Sequence, residues 1–130
     1  MVELTEKAVK LIDGKNFGYL ATIMKDGSPQ VTPVWVDREG RNFVLVNTAA
    51  GRLKERNAKR NQKVAIAMAD SANQYEMVTI RGKVEEQTGT GADEHIDKLA
   101  LKYIGKEKYP WRSPNEKRII LKIKANHISS

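Results

Sequence analysis

Apolar residues recur along this chain with two different periods. In Thr5 to Asp13 (TEKAVKLID), Ala8, Val9, Leu11 and Ile12 fall near helical spacing, with Thr5 placed to cap the start and Gly14 to stop it. Phe17 to Met24 (FGYLATIM) reads as a buried strand, and Asp26-Gly27 as the hairpin turn after it, because that dipeptide supports positive φ. Pro29 to Asp37 (PQVTPVWVD) reads as a second strand. Pro33 lacks an N–H for the ladder, so an edge or a bulge is expected there. A turn at Arg38 to Arg41 leads to a strand over Asn42 to Asn47. Alternation then stops, and a short helix is expected from about Ala50 to Arg60. Strands follow at Val64 to Ala69 and Tyr75 to Glu86, the latter with Val78, Ile80 and Gly82 on one face. Asp93 to Tyr103 reads as an amphipathic helix carrying Ile96, Leu99, Ala100 and Tyr103. After a loop over Lys106 to Asn115, Arg118 to Ala125 alternates Ile119, Leu121 and Ile123 inward against Lys122 and Lys124 outward. Six or so strands with two interrupting helices suggest a small closed barrel with helices at its margins.

Composition narrows the setting. The 130 residues suit one domain spanning 1–130. The 23 Lys plus Arg exceed the 16 Asp plus Glu, for a net charge of +7, which favours an anionic partner: nucleic acid, acidic lipid or a phosphorylated cofactor. The absence of cysteine excludes disulfides, thiolate metal sites and a Cys nucleophile. No apolar run approaches the roughly 18 residues of a membrane span, and Met1 to Lys10 mixes Glu and Lys among its apolar residues, unlike a signal peptide. A cytoplasmic location is expected. His95 is expected on the exposed side of its helix and His127 near the terminus, so a metal site is not expected.

The segment richest in chemistry is Thr48-Ala-Ala-Gly51-Arg52-Leu-Lys54-Glu-Arg56-Asn57, where a strand gives way to a helix. Free N–H groups at a helix start attract anions, and the macrodipole there disfavours bases. Arg52 and Lys54 nevertheless open this helix. A bound phosphate, receiving the Thr48 hydroxyl, a guanidinium and an ammonium, would account for them. The alternative is a solvated basic face, because Arg52, Arg56 and Arg60 also fall at i, i+4 and i+8. A second segment, Gln30-Val31-Thr32-Pro33-Val34-Trp35, contains a proline whose neighbours' unpaired backbone groups could bond a flat heterocycle, with Trp35 over a ring face. From the pattern alone, a hairpin with a buried tryptophan is the favoured reading.

These two segments, in this order, resemble the pyridoxamine-phosphate-oxidase-like split β-barrel flavoproteins, in particular the branch of deazaflavin (coenzyme F-420)-dependent oxidoreductases. The likeness is carried by Ala21-Thr22, Asp26-Gly27-Ser28-Pro29, Pro33-Val34-Trp35, the Thr48 to Asn57 segment, Arg81-Gly82 and Tyr103-Ile104-Gly105. It implies a mainly β, six-stranded split barrel with flanking helices, an FMN-binding-like fold. It also implies a homodimer with a cofactor between subunits, held through phosphate by Thr48, Arg52 and Lys54 and flanked along its ring by Gln30, Val31, Thr32, Pro33, Val34 and Trp35. Arg56 and Asn57 would hold the helix in place.

The resemblance points to an oxidoreductase transferring hydride between coenzyme F-420, or alternatively FMN, and a small conjugated or heterocyclic substrate. An FMN-binding or storage protein without turnover is the alternative. The Arg-x-Trp signature of vitamin-B6 oxidases is not evident, since Trp111-Arg112 runs in reverse order. No side chain stands out as a catalytic acid or base, and neither nucleic acid nor membrane is expected as a partner. Tyr109, Trp111 and Arg112 are expected in a lid or at the dimer seam.

Overall fold

The computed structural model describes residues 2–130. In chain order the elements are α1 (Glu6–Asp13), β1 (Gly18–Ile23), β2 (Pro29–Val34), β3 (Val36–Glu39), β4 (Phe43–Ala49), α2 (Leu53–Arg60), β5 (Lys63–Ala69), β6 (Met77–Thr88), α3 (Ala92–Ile104) and β7 (Arg118–Ser129). The strands form one antiparallel sheet in the order β2-β1-β5-β6-β7-β4-β3. β2 and β3 stand at opposite ends of that order, yet only Trp35 separates them in the chain. A flat sheet cannot satisfy both facts. The sheet must curl until its ends meet, which makes a split barrel with its seam at Trp35.

The expected single strand Pro29 to Asp37 is therefore two. Its local pattern carries no break, and the break is stabilised from elsewhere. The Tyr103 hydroxyl of α3 accepts from the Val36 N–H at 3.0 Å and donates to the Asn16 carbonyl at 2.6 Å. Lys102 Nζ donates to the Val36 carbonyl at 2.9 Å and also to the Ile12 carbonyl. Backbone groups left outside the ladder at the seam thus find partners on one helix. Trp35 stacks on the Tyr103 ring at 5.4 Å between centroids. Pro33 lies on edge strand β2, as its missing donor requires.

Leu20, Ile66, Met68, Ile80, Leu121 and Ile123 alternate into the barrel core, joined by Leu11 and Ile12 of α1. Thr5 caps α1 by accepting from the Ala8 N–H. β6 and β7 are twelve residues each, with register shifts at Arg81/Gly82 and Val84/Glu86 that bend the pair. At the first shift Gly82 lies so close to β7 that a Cβ would sit 2.0 Å from the Lys124 carbonyl oxygen. β4, β6 and β7 run past their expected ends, because each extension finds ladder partners on a neighbour distant in sequence. Among the described residues no helix is long and apolar enough to cross a membrane.

Candidate functional site

Near the seam the ends of β2 and β4, the start of α2, the face of α3 and the loop before β7 enclose a cavity of about 180 Å³. Phe17, Pro33, Val34, Trp35, Ile96, Tyr109 and Trp111 supply its apolar and aromatic wall. Asn47, Thr48, Arg52, Lys54 and Arg118 supply its polar end. Six of the nine residues expected at a cofactor site therefore meet here: Pro33, Val34, Trp35, Thr48, Arg52 and Lys54. Gln30, Val31 and Thr32 lie further along edge strand β2 and do not line it.

Local structure differs from expectation at the strand-to-helix transition. Thr48 lies within β4, paired to Ile119, and α2 begins at Leu53 rather than near Ala50. Ala50 to Arg52 form the turn between them, and Gly51 takes φ of +88°, which a side chain would strain. Part of the helix-start electrostatics is internal. The Glu55 carboxylate, buried in the first turn of α2, accepts from the Gly51 N–H at 2.7 Å. Asn57 is fully buried and ties α2 to β1 through the Thr22 hydroxyl at 3.1 Å, the holding role expected of it. Arg56 makes no side-chain hydrogen bond among the described residues and stays exposed, so that role does not extend to it.

The polar end holds three cations and one carboxylate. Glu116 bridges Arg52 (2.8 Å) and Arg118. Burial pushes its carboxyl up, and hydrogen bonds from Arg118 and Arg52 reverse this, leaving it below the usual carboxylate range. Lys54 has no ion-pair partner among the described residues. Its burial, then the nearby Arg52 and Arg118 charges, depress its pKa. The Thr48 hydroxyl is buried and without a hydrogen-bond partner. A buried hydroxyl left unpaired costs about 1–3 kcal/mol, and like charges gathered beside it add to the strain. A phosphate would satisfy all of them at once, so the donor set fits a phosphorylated cofactor.

Tyr109 and Trp111 close the aromatic wall, Tyr109 edge-on to both Trp35 (6.1 Å) and Trp111 (5.7 Å). Asp97 of α3 holds this loop down by accepting from the Tyr109 N–H at 2.8 Å and from Arg112. The loop thus lines one side of the cavity.

The sequence reading missed two polar members, Asn47 and Arg118. In the sequence Arg118 is simply the first residue of the last strand, yet its side chain is buried, and the Tyr109 ring lies 5.1 Å from its guanidinium carbon. The alternation gave no signal, because Arg118 shares the outward parity of Lys122 and Lys124 and is buried by Asn47 and the Tyr109 loop. His95 is a correction. It is buried, because Asp37 at 3.1 Å and Asn47 at 3.1 Å satisfy its two ring nitrogens. Burial pushes the Asp37 carboxyl up, and hydrogen bonds from His95, the Arg38 N–H and Lys98 more than offset this, so it remains ionised far below its ordinary range.

Fold and site together define a split β-barrel with an aromatic-walled, cation-lined pocket at its seam. The pyridoxamine 5'-phosphate oxidase family model matches residues 4–130. The chain belongs to that family, whose fold binds flavins. It is similar to a solved F420 reductase, at 28% identity and TM-score 0.80, over 92% of this chain and 94% of that one. HupZ of group A Streptococcus (20% identity, TM-score 0.68, 98% and 92% covered) shares its fold. So does general stress protein 26 of Bacillus anthracis (16% identity, TM-score 0.67, 95% and 89% covered).

Proposed function

We propose that this protein is an oxidoreductase that holds coenzyme F-420, or alternatively FMN, by its phosphate at Thr48, Arg52, Lys54 and Arg118. The observation that carries this reading is the buried, unpartnered Thr48 hydroxyl beside an unpaired lysine. Similarity to an F420 reductase favours F-420 as the cofactor. A bound deazaflavin or flavin supplies the hydride chemistry. The chain's residues grip the phosphate, and Trp35, Tyr109 and Trp111 wall off water from the site. The aromatics pack on one another rather than standing apart along strands, which disfavours stacking of single-stranded nucleic acid.

Titration with the two cofactors tests the choice. F-420 carries an acidic tail, and the bases of α2 beyond the anchor, Arg56, Lys59 and Arg60, are the candidates to meet it. Lys59 is paired with Glu55, and Arg60 bonds the Ile23 carbonyl and Asn57, which leaves Arg56 without a partner among the described residues. F-420 is expected to bind more tightly than FMN at low salt, with an advantage that shrinks as salt rises. Arg56→Gln is expected to reduce F-420 affinity by up to about fivefold and to spare FMN. Tighter FMN binding at every salt concentration, or purification with stoichiometric FMN, replaces F-420 by FMN.

The same reading calls for a homodimer. Cofactor sites usually enclose about 300–1,000 Å³, more than this cavity offers, and a second copy would complete the wall. An apolar sheet face suits that copy. Tyr19 and Val31 are exposed on the outer surface of β1 and β2, with Ala21, Ala65 and Ala67 beside them in the ladders and Met77 exposed at the start of β6. A dimeric mass is expected by light scattering at micromolar protein with cofactor present, and a monomeric mass refutes the shared site.

A further inference from the structure

Arg118 is the most deeply buried cation of the site, and its orientation depends on a chain of groups leading away from it. Its Nε donates to Asn47 Oδ1 at 2.9 Å. A guanidinium only donates, so the amide oxygen must face it. On the other side Asn47 Nδ2 donates to the Ala92 carbonyl at 2.9 Å, and a carbonyl only accepts. The amide is thus fixed from both sides. The same Nδ2 lies 3.1 Å from His95 Nδ1, so that ring nitrogen accepts and carries no proton. The proton sits on Nε2, 3.1 Å from Asp37 Oδ2.

We propose that Asn47 and His95 are positioning residues that aim Arg118 at the bound anion, and that anion binding requires His95 to be neutral. This rests on the reading of the cavity as a phosphate site. A second proton on His95 would set Nδ1–H against the amide N–H of Asn47. Rotating the amide by half a turn relieves that clash, but turns its N–H groups on Arg118 Nε and its oxygen on the Ala92 carbonyl. At least one contact is lost either way, and an unmatched buried donor is costly. The charged groups facing the imidazole are Asp37 from β3, Lys98 from its own helix and, through Asn47, Arg118 from β7 with Glu116 beside it. Lys98 lies 3.2 Å from the same Asp37 oxygen.

Linkage supplies a sign that separates positioning from simple charge. If neutral His95 is the anion-binding form, a bound anion makes His95 release its second proton more readily, and its titration moves to lower pH. A mere charge effect is opposite, because a nearby anion stabilises imidazolium and moves the titration up. The chain has only two histidines, and His127 is exposed on β7. Nitrogen-15 NMR of the full chain can follow both between pH 5 and 8, with His127→Gln confirming the assignment. Sulfate is the probe, dianionic across that range, against chloride at equal ionic strength.

Neutral His95 is expected to show the Nε2–H tautomer. Sulfate is expected to move its titration down by about half a pH unit, equivalent to roughly threefold weaker sulfate binding once His95 is charged. His95→Asn keeps an acceptor near the Nδ1 position and cannot take a second proton, so its sulfate affinity should lose this pH dependence. An Nδ1–H tautomer, or a titration that stays put or rises with sulfate bound, overturns the relay and leaves the phosphate site standing. Failure of both sulfate and FMN to bind overturns the site itself and the relay with it.

Discussion

Replacing Arg52 and Lys54 together with alanine is expected to weaken binding of F-420 and of FMN by about a hundredfold to ten-thousandfold. Each residue offers a charge-assisted contact to phosphate, worth about 1.5–3 kcal/mol. The two are suited to act on a ligand rather than on the fold. Arg52 is half-exposed and pairs with Glu116, which keeps Arg118 when Arg52 is gone. Lys54 pairs with nothing among the described residues, and its surroundings depress its pKa. A lysine whose folded pKa lies below its unfolded value binds its proton more weakly in the folded state, so it detracts from stability until pH rises past its unfolded value. The double variant should therefore melt at the wild-type temperature or slightly above it. Calorimetric titration beside a thermal melt checks both halves. Equal affinity in variant and wild type would sink the anchor assignment, and a collapse of the melt would mean that the two bases serve the fold.

Gly82→Ala should destabilise the barrel by about 3 kcal/mol or more, lowering the melting temperature by roughly 10–15 °C. The added Cβ would lie 2.0 Å from the Lys124 oxygen, 2.9 Å from its carbonyl carbon and 3.2 Å from Ala125 Cα. All three are backbone atoms of the neighbouring strand, so no rotamer change relieves the overlap. β6 and β7 would have to separate at the bulge that bends them. Gly89→Ala is the control. Its Cβ would meet only the flexible end of Lys117 at 3.4 Å and the Arg118 oxygen at 3.7 Å, and little loss is expected. Similar melting temperatures for the two variants would refute a steric role for Gly82.

What the amino-acid order determined by itself is what depends on near neighbours. Periods of two and of about three and a half residues marked β1, β4 to β7 and the helices. Asp26-Gly27 marked the first hairpin, where Asp26 Oδ1 accepts from the Ser28 N–H, and Thr5 marked the start of α1. The basic start of α2 was legible as a candidate anion site, because a charge that opposes a helix dipole needs a partner from somewhere. Only the tertiary structure decided the rest. Continuous β-pattern runs through Val34-Trp35-Val36, and its division between two sheet edges rests on barrel closure and on Tyr103, 67 residues ahead of Val36. His95 reads as exposed on its helix, and its burial rests on Asp37 and Asn47, 58 and 48 residues away. Arg118 joins the site through Asn47, 71 residues earlier. A polar side chain is buried only where its partners are, and those partners met when the sheet curled.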